Sequence, residues 1–331
     1  MPVTAKDIAR ELQLSQPTVS RILSDTPGHR VSPQTRERVL DTARRLGYRP
    51  NALARSLRRG RTGIIGLYTN YNYDARNDFL GTIIGALQRH CEQQDLDLLL
   101  HSAQGGRSPE EIFGKLRDGR IDGLILHANT DDPLVSLLRG SSLPVVTVAD
   151  HLGGLPSVTS DDAHGIALLI EHLWERGYRR FAYLMPEETP ASVVRRHAAF
   201  VAQMEARGVP GSEFRAFRTN YEEIAPVWDA LRAFGPCAVL CWNDRSAYSL
   251  LRACRKNGVR VPEEMAVAGF DGFRDDKVPA YDLVTVACPW ADVAARALEV
   301  LRGMIESTGS SAKSNEEEIR FPVQLLTGDT A

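Results

Sequence analysis

No apolar run in this chain approaches the roughly 20 residues needed to span a bilayer. The opening residues, MPVTAKDIAR, are polar and lack the hydrophobic stretch of a secretory signal. Both absences point to a soluble protein of the cytoplasm. Cysteine is sparse: Cys91, Cys237, Cys241, Cys254 and Cys288 are scattered, odd in number and without metal-ligand spacing. They read as reduced, mostly buried thiols. The usual marks of nucleotide and acyl-transfer enzymes are missing too, with neither a P-loop nor a nucleophile elbow. The first strand-like run, 63–69, leads into Asn70-Tyr71-Asn72-Tyr73 where a dehydrogenase would have a Gly-rich phosphate loop. The histidines show no ligand spacing. An enzyme is not expected, nor a cofactor or a metal.

Acidic residues are scarce at one end only. Residues 1–63 hold 13 Lys and Arg against 5 Asp and Glu, a formal +8, so the remainder carries −10 of the total −2. A basic head on an acidic body places any polyanion contact in the head. Thr4-Ala5-Lys6-Asp7 has capping-box spacing and opens a helix with Ile8, Ala9 and Leu12 inward. Ser15 caps a second helix, with Pro17 in its first turn and Val19, Ile22 and Leu23 inward. Ser32-Pro33 starts a third, running through Val39, Leu40, Ala43 and Leu46 to Gly47.

These helices predict an all-α helix-turn-helix over 1–48, its second helix presenting N-terminal side chains to a major groove. Gln16 can offer a bidentate amide to adenine, and Arg21 two hydrogen bonds to guanine. Pro17 contributes shape or contact with a thymine methyl. Thr18, Ser20, Arg36 and Arg38 suit phosphates, which position a protein without reading sequence. Residues 49–62 predict a basic hinge helix and linker, too short to be stable alone. Leu57 within it is the kind of apolar wedge that unstacks a base step.

From residue 63 apolar strands alternate with amphipathic helices. The strand-like runs are 63–69, 96–101, 123–126 and 144–149, then 181–185, 238–242, 265–270 and 284–287, with a last strand over 319–326. Such alternation implies parallel sheets covered on both faces. So many strands imply an α/β body of two Rossmann-like lobes with a ligand cleft at the strand ends. The lobes are expected at about 63–160 with 289–318, and about 161–288 with 319–331. Asp150, Ser192, Arg196, Asn243-Asp244 and Asp271 all fall just after strands. Carboxylates, a guanidinium and an amide together suit a polyol. Asp and Asn at strand ends also cap the next helix, an equal reading on the residues alone.

The stretches DIARELQLSQPTVSRILSD and VSPQTRERVLDTARRLGYRPNALARSL resemble the head of the LacI/GalR family of bacterial transcription regulators. The resemblance continues through the body, which is similar in fold to periplasmic sugar-binding proteins. It implies that Gln16, Pro17 and Arg21 read operator bases, that Leu57 levers open the centre of a palindromic site, and that Ala54 faces the same minor groove. It further implies effector contacts at Arg196, Asn243-Asp244 and the Asp271 of VAGFD. Phe79 of NDFLG stands where a ligand-stacking phenylalanine sits, and Tyr221 is a candidate aromatic wall. One departure is Cys288 before Pro289, where many members carry glutamine.

The expectation is a homodimeric regulator, most simply a repressor, bound to a pseudo-palindromic duplex operator and controlled by a sugar or related metabolite. No membrane partner is expected. The chain stops soon after its last strand without a heptad tail, so a tail-mediated tetramer is not expected. The alternative, a soluble sugar-binding protein with no regulatory role, predicts an export signal and no DNA-reading head.

Overall fold

The structure is a computed structural model that describes residues 3–23, 31–49, 56, 60–70, 78–102, 106–187, 190–220, 223–273, 281–307 and 317–331. The chain divides into two units, Met1–Gly63 and Ile64–Ala331. In the first, α1 (Ala5–Leu12), α2 (Gln16–Leu23) and α3 (Pro33–Arg45) follow one another. Thr4 accepts the N–H of Asp7 through its hydroxyl, and the Asp7 carboxylate accepts the N–H of Thr4 in return. Ser15 and Ser32 start α2 and α3 by accepting the N–H of Thr18 and Thr35. Past α3, Gly47 adopts φ +65, and the N–H groups of Gly47 and Tyr48 return to the carbonyls of Arg44 and Ala43. That closure satisfies orphan carbonyls and needs the left-handed residue.

Helices of eight residues do not persist alone. Here Ile8, Ala9, Val19, Ile22, Val39 and Ala43 close a shared core. Leu12, Leu23, Leu40 and Leu46, expected inside, are only partly buried at its margin. A core this small cannot enclose every apolar side chain of its helices.

The second unit contains two lobes. The first holds β1 (Ile64–Thr69), α4 (Asp78–Glu92), β2 (Asp97–Ser102), α5 (Pro109–Leu116), β3 (Gly123–His127), α6 (Pro133–Arg139), β4 (Val145–Val148) and β5 (Ser157–Ser160). The second holds α7 (Asp162–Glu175), β6 (Phe181–Met185), α8 (Ala191–Ala206), β7 (Phe214–Arg218), α9 (Ala225–Ala233), β8 (Cys237–Cys241), α10 (Asp244–Lys256), β9 (Met265–Ala268) and β10 (Thr285–Ala287). The chain then returns to the first lobe with α11 (Trp290–Ser307) and β11 (Glu318–Phe321), and ends with β12 (Gln324–Leu326). The first sheet is parallel, in the order β11-β5-β4-β3-β1-β2. The second is parallel, β7-β6-β8-β9, and β10 pairs antiparallel with β12 beside it.

Three features differ from the sequence reading. The run 319–326 is not one strand of the second lobe. Pro322 has no N–H for a ladder, and the segment before it pairs in parallel with β5, Glu318 opposite Ser157. The final crossover therefore follows Phe321, and the first lobe extends beyond residue 318. Strands β5 and β7 were not expected either. β5 is Ser-Val-Thr-Ser, buried throughout, with its hydroxyls used internally by Leu155, Glu318 and Asp162. Strand β7, Phe-Arg-Ala-Phe-Arg, is an edge strand with its arginines outward.

Gly165 in α7 lies against the ring of Phe270, and a Cβ there would come within 2.6 Å of it. Gly165→Ala is expected to destabilise the protein by about 1–3 kcal/mol through overpacking. A thermal unfolding midpoint equal to that of the wild type would contradict this close approach.

Candidate operator-reading face and effector cleft

In the head, Val19 and Ile22 are buried, which turns Gln16, Pro17 and Arg21 to the exposed face of α2. Thr18 and Ser20 are half-buried at its edge. The Thr18 hydroxyl lies 2.8 Å from that of Ser15, so it takes part in capping the helix. Arg36 and Arg38 are exposed on α3. The arrangement offers one amide and one guanidinium from a helix whose N-terminus is firmly capped, as base-edge recognition requires. Ala54 and Leu57 lie outside the described residues.

In the body, Arg196 is the centre. It projects from the second turn of α8, is 2% exposed, and has each guanidinium nitrogen engaged. Nε donates to Asp162 Oδ1 at 2.9 Å, Nη1 to the carbonyl of Trp242 at 2.6 Å, and Nη2 to Asp271 Oδ1 at 3.4 Å. Its face lies over the ring of Phe270, 3.7 Å from the centroid. Burial opposes the charge of Arg196, yet Asp162 and Asp271 together hold its pKa above the ordinary value. Asp271 sits at φ +114, pinned by its N–H to Val286 and by its carbonyl to the N–H of Cys288. Strain of this kind persists where neighbours over-determine it, and often marks a functional site.

Asp150 and Ser192 meet across the lobes. The N-cap of α8 is Pro190, which supplies no side-chain cap. Asp150 takes its place, accepting the N–H of Ser192 at 2.6 Å. Arg195 adds a second tie by donating to the carbonyl of Ala149 at 3.0 Å while pairing with Asp162 at 2.7 Å. Beside Asp150, His127 Nε2 stands 3.7 Å from Oδ2, and burial keeps this imidazole neutral by pushing its pKa down against the pull of Asp150. Phe79 is half-buried between His127 and Trp290, with ring centroids 5.1 and 4.8 Å away.

The predicted residues are thus not equivalent. Arg196 and Asp271 share one network with Asp162, while Asp150 meets Ser192 at the start of the same helix and stands beside His127, against which Phe79 packs. Asn243 caps α10 by accepting the N–H of Ser246 at 2.9 Å. Asp244 lies beneath the cleft, accepting from the Thr285 hydroxyl and from the N–H of Phe273 at 2.6 Å. Tyr221 lies outside the described residues. Sequence reasoning missed Asp162, Arg195, His127 and Trp290; only Asp162 carried a signal, as the residue after a helix cap, and that is a weak one. Among the described residues no group of His, Cys, Asp or Glu could hold a metal ion.

Burial pushes Asp271 up to about 7 from an ordinary 3.8, against the pull of Arg196, and raises Asp244 well above its ordinary value. Asp162, Asp244, Cys288 and the Trp290 indole surround Asp271 together with Arg196. The folded protein therefore holds a proton that the unfolded chain has lost between 3.8 and about 7. Stability should fall as pH rises through that window and level off above it. Asp271→Asn is expected to flatten this slope in thermal unfolding measured across pH. An unchanged slope would mean that Asp271 does not hold the proton.

The family model for bacterial regulatory proteins of the lacI family matches residues 4–51, and that for a periplasmic binding protein-like domain matches residues 170–331. Catabolite control protein A of Priestia megaterium is 26% identical over 332 residues, covering 97% of this chain and 98% of the relative. The HTH-type transcriptional repressor PurR of Vibrio cholerae is 27% identical over 307 residues, covering 90% of each. A Lac repressor dimer bound to operator and the anti-inducer ONPF superposes with a TM-score of 0.84 at 21% identity, covering 100% of this chain and 99% of that one. The complex of the regulator CelR with cellobiose gives 0.70 at 24% identity, over 99% and 100%. The structural likenesses establish the fold. With the head and body models matched in order along one sequence, the chain belongs to the LacI/GalR family of bacterial transcription regulators.

Proposed function

We propose that this protein is a repressor that binds a pseudo-palindromic operator as a homodimer and is switched by a small polyhydroxy effector between the lobes of its body. One observation carries the reading: the same chain joins an exposed Gln16–Pro17–Arg21 face on a capped helix to a buried arginine–carboxylate network at strand ends. Relatives named as repressors, and a structural neighbour bound to operator, support it. Gln16 and Arg21 would read major-groove edges, with Pro17 fitting the groove by shape. Ala54 and Leu57 would serve the minor groove at the dyad. Within the cleft, Phe79, Asp150, Ser192, Arg196 and Asp271 would meet the effector, with Tyr221 and Asn243 at its margin.

Switching follows from the tie between the lobes. Asp150 already caps α8 across the lobes, so a ligand hydroxyl that takes the Asp150 carboxylate must either add to that bond or replace it. Either way the ligand binds the open and closed states with different affinity, which is the condition for shifting them.

A second copy of the chain would pack on the face made by α4 and the edge strand β2. Leu100 on the edge strand β2 is 52% exposed, a large apolar side chain left open to solvent. A two-fold dimer would bury this patch against itself.

Arg21→Ala is expected to weaken binding to selected operator duplexes by about tenfold or more, with little change on random DNA. Equal, sequence-independent binding by both proteins would overturn the operator reading. Leu100→Glu should convert the protein to monomers in light scattering and lower its operator affinity with it. A dimer that persists in this variant would move the interface elsewhere.

A further inference from the structure

The two polar ties between the lobes leave from consecutive residues just past β4 and end on the start of α8. Asp150 Oδ1 accepts the N–H of Ser192 at 2.6 Å, and the carbonyl of Ala149 accepts Nη2 of Arg195 at 3.0 Å. Ala149 is buried and sits at φ +69, a left-handed conformation that alanine rarely adopts. Such a backbone persists where its neighbours over-determine it. Here the N–H of Ala149 is held by the carbonyl of Val158 at 2.9 Å, and its own carbonyl is held by Arg195.

The two adjacent arginines of α8 share one carboxylate and divide its oxygens. Asp162 stands two residues past β5, where the chain crosses from the first lobe to the second, and the Ser160 hydroxyl donates to its Oδ1 at 3.1 Å. Arg196 takes Oδ1 as well, and its other two nitrogens stay within the second lobe, on Trp242 and Asp271. Arg195 takes Oδ2, with Nε at 2.9 Å and Nη2 at 2.7 Å, and Nη2 goes on to Ala149 in the first lobe. Its Nη1 is buried without a partner. Arg196 therefore fastens one lobe, whereas Arg195 bridges two from a carboxylate at the crossover. A guanidinium on a carbonyl makes a charge-assisted bond, stronger than a neutral one. Asp162 already orients the planar fork, so little side-chain freedom is lost in making it.

We infer that Arg195 is a latch between the lobes, a positioning residue that keeps Asp150 on the N-terminus of α8 in the ligand-free protein and so sets the poise of the switch. It acts through the spacing of the lobes and does not have to touch the effector. Ala149 and Asp150 are neighbours in the chain, so loss of the Arg195 bond loosens the Asp150 bond with it. The balance between lobe arrangements then moves before any ligand is added. This rests on the reading that the arrangement of the lobes controls operator binding.

The test uses the full-length protein without ligand. Arg195→Met keeps the aliphatic stem and removes every donor, and Arg195→Ala serves if that variant fails to fold. Hydrogen exchange at the Ser192 amide reads the Asp150 tie, because a first-turn N–H has no acceptor in its own helix. The amides of β6 report the core of the same lobe, and Asp150→Ala marks the Ser192 rate with the tie gone. Loss of Arg195 should speed exchange at Ser192 by about tenfold, toward the Asp150→Ala rate and well ahead of any change in β6. Affinity for selected operator duplexes should change with it by about threefold or more. Exchange at Ser192 that keeps the wild-type rate overturns the latch. So does an equal acceleration in β6, the mark of a side chain that only stabilises the lobe. Faster exchange confined to Ser192 with unchanged operator affinity leaves the latch standing and strikes the reading that the lobes control operator binding.

Discussion

A guanidinium buried as deeply as that of Arg196 is stable only if its charge and its hydrogens are all answered. Asp162 at the start of α7, the Trp242 carbonyl at the end of β8, and Asp271 just past β9 each supply part of the answer. One side chain thereby fixes three segments of the second lobe to a fourth, α8. Removing a single partner would leave charge uncompensated, at a cost of about 3–5 kcal/mol. Phe270 completes the seat from below, and it stands where it does because Gly165 leaves room for its ring. The unusual φ at Asp271 belongs to the same arrangement, its carboxylate meeting Arg196 at 3.4 Å.

Between the lobes the forces are of another kind. Their link on the cleft side is short and polar: Asp150 capping α8, and Arg195 reaching the Ala149 carbonyl. Polar ties can be exchanged for ligand contacts at small net cost, whereas the apolar cores of each lobe cannot. Cys288 packs against the cores of both lobes at the hinge. Its thiol is held neutral by burial and by the nearby Asp271, so it serves there as an apolar pivot. A rigid lobe with a fixed arginine, tied to its neighbour by exchangeable bonds, is suited to a two-state response.

The head was legible from sequence because its determinants are local. Thr4, Ser15, Ser32 and Gly47 each act within a few residues, and the spacing of Ile8, Val19, Ile22 and Val39 shows which faces turn inward. In the body, alternation revealed the lobes, and polar residues after strands revealed Asp150, Arg196 and Asp271. What local pattern could not show was partnership. Asp162 pairs with Arg195 33 residues further along the chain, His127 faces Asp150 23 residues on, and Trp290 packs on Phe79 from 211 residues away. The three hydroxyl residues of β5 resembled a loop because their side chains are satisfied by contacts with Leu155, Glu318 and Asp162. Asn243 is the reverse case: local capping explains it fully, as the residue alone allowed.

The central claim is that occupancy of the Arg196 cleft governs operator binding. The most direct measurement is operator affinity of the full-length protein with and without its strongest-binding small molecule, for the wild type and for Arg196→Ala. The account predicts a change of about tenfold or more in the wild type. It predicts no change in the variant, measured against the variant's own ligand-free operator affinity. A wild-type affinity that ligand leaves unchanged, or a variant that responds as the wild type does, would contradict it.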